Sequence, residues 1–184
     1  MSLAGLRTGV AVGLCLLAGA GIAAERAEKR YFLPGHGKFA LSVPADWKDE
    51  LRPNGTRPPS IFLTTAKGTQ PQVKLTPIWR ARPEIPPFTR ESVRDNVAKG
   101  IDAVREQALE KRIPLTEFKG KSGAGWYFDA TDKAPKAGEY RYLRSGMLIV
   151  GELLLAFAIL SDSREEPVMD EAMEILRSAS HAPQ

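Results

Sequence analysis

Residues 139–160 read EYRYLRSGMLIVGELLLAFAIL and form the most apolar stretch of the chain beyond its N-terminal leader. The part from Met147 to Leu160 is too short to cross a membrane as a helix, and it carries Glu152. Gly151 and Glu152 interrupt the apolar run, as a tight turn would. The stretch therefore predicts two strands, residues 139–150 and 152–160, joined by a tight turn.

Strand signals also occur on both sides of this stretch. Phe39, Leu41 and Val43 alternate with small residues, which is the period of a half-buried strand. Further strands are predicted at residues 61–66, 73–80, 115–119 and 125–130. Pro77 cannot donate a backbone hydrogen bond, so it predicts an edge strand or a bulge. Residues 25–30 are predicted as a frayed start, 51–60 as a loop and 178–184 as a loose tail.

Two helices are predicted among these strands. Thr89 is a good N-cap, and an apolar stripe at helical spacing runs from Val93 to Ala108. A closing helix begins at Ser163 and presents a broad apolar face. Strands, a long helix, more strands and a final helix give the order of an α+β domain.

The first 24 residues have the pattern of a cleavable secretory signal peptide. Arg7 is their only charge, an apolar run starts at Gly9, and small residues allow cleavage after Ala20, Ala23 or Ala24. A membrane anchor would require about 20 strongly apolar residues. A lipoprotein signal would place a small residue before Cys15, where Leu14 stands. We therefore expect a signal peptide at 1–24 and a single domain at 25–184.

Composition limits the chemistry of the mature chain. The protein has 184 residues with 26 Lys+Arg, 22 Asp+Glu, two His and one Cys, and the cysteine lies in the leader. The remaining 160 residues carry a formal charge of +3, because the leader removes one arginine and no acid. Without a cysteine, the mature chain has no disulfide, zinc–cysteine or thiol-nucleophile chemistry.

Several segments resemble PsbP-like domains and the related bacterial exported domains of unknown function. The segments are Phe39-x-Leu41-x-Val43-Pro44-x-x-Trp47, Tyr140-Arg141-Tyr142, Leu153-Leu154-Leu155-Ala156-Phe157 and Met173-x-x-Leu176-x-Ser178. The resemblance covers roughly residues 31–179. It implies an antiparallel sheet flanked by helices in an α-β-α sandwich. Plant members assist the oxygen-evolving side of photosystem II, and none of their functional residues can be placed on this chain.

Catalytic candidates are few. Histidine is the usual general base near neutral pH, and the chain has only His36, in a Gly-flanked turn, and His181, in the predicted tail. No close metal-ligand spacing and no phosphate-binding loop occurs, so we predict no catalytic residue, metal or cofactor. Asp129 and Glu152 lie in or beside apolar strands and are the candidate pair of a carboxylate-based hydrolase.

Basic and aromatic side chains supply the candidates for binding. A basic edge could bind an anionic partner, such as a lipid headgroup or a polysaccharide, and a nucleic acid is not expected because the chain is predicted to be exported. The aromatic residues are expected chiefly in the core and in cross-strand pairs, with a pocket between sheet and helix as the alternative. The basic candidates are Arg80, Arg82, Lys119, Lys121, Lys133, Lys136, Arg141 and Arg144, and the aromatic ones are Trp47, Trp79, Trp126, Tyr127, Phe128, Tyr140 and Tyr142.

These observations predict an exported, non-enzymatic binding or accessory protein of the cell envelope. Its partner would be an envelope protein or a small ligand, and the mature chain would have no transmembrane span. In a Gram-negative source it would be periplasmic. One alternative is a small-ligand carrier with an aromatic pocket between sheet and helix. This alternative would be contradicted if side chains filled that layer, namely those of Val97, Ile101, Trp126 and Phe128. The other is the hydrolase built on Asp129 and Glu152.

Overall fold

The computed structural model of the protein describes residues 25–55, 57–65, 71–163 and 167–184. The predicted signal peptide lies outside these ranges. None of the helices in the described part is long and apolar enough to cross a membrane. The elements in chain order are β1 (Arg26–Leu33), β2 (Gly37–Pro44), β3 (Trp47–Asn54), β4 (Arg57–Thr65), β5 (Gln72–Ile78), α1 (Arg90–Val104), β6 (Thr116–Lys119), β7 (Ala124–Thr131), β8 (Tyr142–Val150), β9 (Leu153–Ser161), α2 (Pro167–Arg177) and β10 (Ser180–Ala182).

A seven-stranded antiparallel sheet with the order β3-β4-β5-β9-β8-β7-β6 forms the centre of the fold. The predicted strand pair is its β8–β9 hairpin, paired from Tyr142–Ser161 to Val150–Leu153. Gly151 in the turn has a φ of +60°, a conformation that suits glycine. The prediction is therefore confirmed, although β8 starts at Tyr142 rather than at Glu139.

A second sheet has the order β1-β2-β10 and corrects the predictions for both ends of the domain. Residues 25–30 were expected to fray, but Arg26 pairs with Pro44 and the strand continues to Leu33. Residues 178–184 were expected as a loose tail, but Ser180, His181 and Ala182 pair with β2.

The predicted loop at 51–60 is wrong as well, because it contains most of β3 and the start of β4. The prolines in this segment lie where strand pairing is incomplete, so the backbone hydrogen bonds that they cannot donate are not needed there. The β3–β4 register shifts around Pro53, which lies on an edge strand. Pairing between β4 and β5 begins at Ile61–Leu75, so Pro59 and Pro77 both lie outside that ladder. Pro77 therefore lies in an internal strand, at the point where β4 and β5 separate.

One helix packs on each face of the large sheet. Helix α1 packs on β7 and β8 through Val93, Val97 and Ile101, which are buried. Thr89 caps it as predicted, with the Thr89 hydroxyl accepting from the Ser92 backbone N at 3.1 Å. The helix ends at Val104, so the predicted continuation to Ala108 is wrong.

Helix α2 and the three-stranded sheet cover the opposite face. Met173, Ile175 and Leu176 are fully buried in the larger of the two apolar clusters, together with Phe39 and Leu41 from β2. The helix begins at Pro167, and residues 164–166, next to its predicted start at Ser163, lie outside the described ranges. The α+β class and the sheet flanked by helices are confirmed, with the small sheet as an addition.

Candidate functional site

The two histidines of the chain meet, although they are 145 positions apart. His36 lies in the turn between β1 and β2, and His181 lies in β10, which pairs with β2. The Nε2 atom of His181 donates a hydrogen bond to the backbone carbonyl of His36 at 2.7 Å, because a carbonyl can only accept. The Nδ1 atom of His181 is buried and forms no hydrogen bond with any residue that the structure describes.

Gly37 allows this meeting. Its φ is +79°, and a Cβ atom there would stand 2.1 Å from the backbone oxygen of Ala182. Neither the conformation nor the space suits any other residue. Gly35, in the same turn, has a similar φ of +74° but open space around its Cβ position. The close approach of β10 to the turn therefore depends on Gly37.

Trp79 completes the arrangement from the end of β5. Its ring stacks on the His36 imidazole with 4.2 Å between centroids and 24° between planes. Trp79 is partly buried and packs against the larger apolar cluster. The next residue, Arg80, donates through Nη1 to the carbonyls of Pro83 at 3.2 Å and Ile85 at 2.9 Å. Arg80 thereby fixes the proline-rich segment that leads to α1.

These segments enclose a cleft of about 360 Å³, which we call the His36 cleft. Its volume lies at the lower end of the range for small-ligand sites. Arg80, Arg82 and Glu152 are its charged side chains. The lining residues are Gly35, His36, Trp79, Arg80, Ala81, Arg82, Pro83, Glu152, Leu153, His181, Pro183 and Gln184.

A second depression also has Trp79 in its lining, and we call it the Phe32 groove. It has a volume of about 390 Å³ and is mainly apolar. It lies where β4 and β5 separate, because Pro59 and Trp79 both line it. Its lining residues are Phe32, Pro34, Leu51, Pro53, Asn54, Gly55, Arg57, Pro59 and Trp79.

Comparison with known proteins places this arrangement on a known fold. No protein-family model matches the chain, and no curated protein matches it in sequence. The solution structure of cyanobacterial PsbP (CyanoP) from Synechocystis sp. PCC 6803 is similar, with a TM-score of 0.54 and 13% identity over 93% of this chain and 99% of that chain. The chain has a PsbP-like fold.

A crystal structure from Bacteroides thetaiotaomicron VPI-5482 is also similar to this chain. The TM-score is 0.50 at 13% identity, over 85% of this chain and 49% of that chain. The chain therefore spans about half the length of that protein. Identities this low show the fold alone, and the PsbP-like fold predicted from the sequence is confirmed at that level.

The PsbP-like fold keeps the candidate carboxylates of a hydrolase apart. Asp129 in β7 pairs with Arg144 in β8, and Glu152 follows Val150 in the β8–β9 turn. From Arg144 to Val150 is six residues of strand, or about 20 Å. Paired carboxylates of glycosidases lie roughly 5 to 10 Å apart. Asp129 and Glu152 therefore do not form such a pair.

Asp129 has a different partner. It accepts hydrogen bonds from Arg144 Nε at 2.7 Å and Nη2 at 3.0 Å, and the guanidinium lies 4.6 Å from the centre of the Tyr127 ring. Burial alone would lower the pKa of Arg144, but the hydrogen bonds and charge of Asp129 outweigh it and raise that pKa. The pair is an ion pair across two strands of the sheet.

The small-ligand carrier hypothesis places an aromatic pocket between α1 and the large sheet, but packed side chains occupy this layer. Val97, Ile101 and Phe128 are buried in one cluster, and Trp126 packs against it. The cavity found at the end of this layer has about 170 Å³, which is below the usual range for ligands. Its lining includes Tyr140 and Arg141. Among the predicted aromatic residues, Trp79 lines the larger depressions.

The predicted basic residues do not form one edge. Arg80 and Arg82 line the His36 cleft, whereas Lys119 ends β6 at the far edge of the large sheet. Lys133 donates to the backbone carbonyl of Glu106. No cluster of three or more His, Cys, Asp or Glu that could hold a metal ion occurs within the described ranges.

Sequence reasoning missed the meeting of the histidines. His181 was expected in a loose tail, and a three-residue strand with one buried neighbour, Ala179, leaves no periodic signal. The one local indication in the sequence is that His36 lies between two glycines, because glycines are common where another part of the backbone approaches a turn closely.

Proposed function

We propose that the protein acts by binding, as an exported accessory module of the cell envelope, and that its partner contacts the His36 cleft. The observation that carries the proposal is the stack of Trp79 on His36 beside Arg82. Segments from four parts of the chain meet there, namely the β1–β2 turn, the end of β5, the β8–β9 turn and β10. Binding residues are commonly held by loops on a rigid scaffold in this way.

The arrangement of titratable groups supports binding rather than catalysis. His181 Nε2 is occupied by the His36 carbonyl, and the His36 ring lies against Trp79. The candidate carboxylates Asp129 and Glu152 are about 20 Å apart along the sheet. A carboxylate pair must reach one substrate together, and Asp129 and Glu152 are too far apart to do so.

Site-specific crosslinking in the cell envelope tests the proposal. A photoreactive phenylalanine analogue replaces Ala81, which is exposed and lines the cleft. The control carries the analogue at Lys111, which is exposed and lies outside the lining of the cleft. We expect a discrete crosslinked product from position 81 that is absent from position 111 and is lost in Trp79→Ala. No product, or the same product from both positions, would contradict the proposal.

Export is tested separately by the mass of the mature chain. Protein recovered from the source organism should begin after Ala20, Ala23 or Ala24, as intact-mass spectrometry would show. A chain that retains Met1 or carries a lipid on Cys15 would contradict a cleaved signal peptide.

A small-ligand carrier is the second candidate, and the volume of the His36 cleft favours it. Native mass spectrometry of protein isolated from its source should then show a bound molecule of constant mass. Trp79→Ala should remove that mass, whereas Leu109→Ala, which changes an exposed side chain outside the cleft, should retain it.

A further inference from the structure

We infer that the partner binds through an extended protein segment that places an apolar side chain in the Phe32 groove and a carboxylate beside Arg82 in the His36 cleft. The inference rests on the proposed function, because it specifies the chemistry of the partner at the same site. It depends on three properties of the surface, which are its continuity, its exposed apolar side chains and its unpaired positive charge.

The groove and the cleft form one continuous surface. Trp79 lines both depressions. The β1–β2 turn also runs along both, with Pro34 in the groove and Gly35 and His36 in the cleft. A ligand that lies across Trp79 can therefore contact both the groove and the cleft. An extended chain advances about 3.3 Å per residue, so two to four residues span one indole ring.

Two of the exposed large apolar side chains of the described residues line the groove together. Phe32 is 58% exposed and Leu51 is 43% exposed, and both line the groove with Pro53 and Pro59. The exposed large side chains Ile85 and Leu109, in contrast, lie outside it. A contiguous apolar patch with a polar rim is typical of a protein interaction site, whereas isolated exposed side chains are ordinary.

The charges around Trp79 complement an acidic ligand. Arg57 lines the groove, and Arg80 and Arg82 line the cleft, while Glu152 is the one acidic side chain among the lining residues of both. Arg80 is engaged with backbone carbonyls. Arg57 and Arg82 form no ion pair with any residue in the described ranges. Arg82 is exposed, so its guanidinium is available for a bidentate bond to a carboxylate.

The shape of the surface favours a protein segment over a long-chain amphiphile. An alkyl chain gains from binding when a pocket withdraws most of its surface from water. Phe32 and Leu51 remain about half exposed at the rim, so the groove would leave one side of an alkyl chain in water. A protein segment brings additional surface of its own that covers these side chains. Aromatic-lined grooves are a recurrent form of site for extended peptides.

Isothermal titration calorimetry with designed peptides tests the inference. The probes are end-capped ten-residue peptides of Gly and Ser that carry one Phe or Leu and one Asp-Glu pair, separated by one to four Ser. We expect at least one spacing to bind the whole mature chain. Replacement of the Asp-Glu pair by Lys-Lys, or of the apolar residue by Ser, should weaken that binding at least tenfold.

Variants of the protein locate the binding. Phe32→Ser combined with Leu51→Ser, and separately Arg82→Glu, should each weaken binding at least tenfold, and Arg82→Glu should improve binding of the Lys-Lys peptide. The matched control, Leu109→Ser combined with Arg112→Glu, changes an exposed apolar and an exposed basic side chain outside both depressions and should bind as the original chain does. All these side chains are exposed or half-exposed, and thermal unfolding verifies that each variant folds.

Some results would overturn the inference. One is that no peptide binds, and another is that the control variant loses as much peptide affinity as the groove and Arg82 variants do. The third is that the protein binds dodecanoate or phosphatidylglycerol vesicles and none of the peptides. Failure of the peptides together with a crosslinked product at position 81 would refute the extended acidic segment alone. Absence of that product would refute the proposed function.

Discussion

Alanine at Gly37 should detach β10 and remove His181 from the site, whereas alanine at Gly35 should leave both in place. The two glycines share a turn and have φ values of +79° and +74°, so the cost of a left-handed alanine is about 1 kcal/mol in both variants. At position 35 the added Cβ meets nothing within 4 Å. At position 37 it would stand 2.1 Å from the Ala182 oxygen, and real Cβ atoms do not approach so closely.

Gly37→Ala should lower the free energy of unfolding further than Gly35→Ala does. The additional decrease cannot exceed the cost of releasing β10, because the clash disappears once β10 detaches. That strand contributes the pairing of three residues with β2 and the hydrogen bond from His181 to His36. At about 1 kcal/mol for each net hydrogen bond, release costs about 2 to 4 kcal/mol. Gly35→Ala should therefore lower the free energy of unfolding by about 1 kcal/mol and Gly37→Ala by about 3 to 5 kcal/mol.

Urea unfolding gives the free energies, and amide hydrogen exchange at residues 180–182 reports on β10 itself. For a domain of this size, 1 kcal/mol corresponds to about 2 to 4 °C in melting temperature, so the two variants are readily separated. Exchange at residues 180–182 should become fast in Gly37→Ala alone. Equal unfolding energies, or retained protection in both variants, would refute the close contact of β10 with the turn and with it the geometry of the His36 cleft.

Two further predictions concern side chains outside the cleft. Asp129→Asn should lower the free energy of unfolding by about 1 to 2 kcal/mol, because it leaves Arg144, whose side chain is 17% exposed, without its bidentate partner. The control Asp102→Asn removes a 72%-exposed carboxylate from a surface ion pair and should cause no measurable change in urea unfolding. Equal effects would contradict a structural role for the Asp129 pair. Burial, with the charge and hydrogen bond of Asp49, raises the pKa of Tyr31 in the folded chain above the ordinary value of 10. The unfolded chain then releases this proton first as pH rises, so stability should fall above pH 10 by up to about 1.4 kcal/mol per pH unit, and less steeply in Tyr31→Phe. Identical slopes in urea titrations of the two proteins between pH 9 and 11 would show that Tyr31 does not contribute.

The sequence predicts the parts of the fold in which a local pattern and the tertiary environment agree. The β8–β9 hairpin is recognisable because neither strand has an exposed residue and a glycine with positive φ joins them. Helix α1 is recognisable because Thr89 caps it and its stripe faces the sheet. The strands that were missed lie at sheet edges. Strand β3 has one buried residue, Trp47, so it lacks the alternation that identifies a half-buried strand.

The candidate site could be predicted only in its components. Trp79, Arg80 and Arg82 were candidates because they are adjacent in sequence, and His36 and His181 were considered one at a time. The contact between the two histidines depends on the pairing of β10 with β2, which joins residues 140 or more positions apart. A three-residue strand has too few side chains to indicate such a pairing. The Phe32 groove was not foreseen for a related reason, since Phe32 and Leu51 are apolar residues of edge strands and become neighbours only in the folded chain.

The two arginines that follow Trp79 have different roles, and this difference decides how variants of the site should be interpreted. Arg80 bonds to the carbonyls of Pro83 and Ile85, so its removal releases the segment that forms one wall of the cleft. Loss of binding in an Arg80 variant would therefore report on shape as much as on charge. Arg82 is exposed and forms no ion pair with a described residue, so its replacement changes charge and leaves the wall in place. A partner that is sensitive to Arg82 recognises charge directly, and long-range attraction of that kind weakens with added salt. Binding that falls with ionic strength in the original chain and becomes independent of it in Arg82→Gln would identify Arg82 as the residue that attracts an acidic partner.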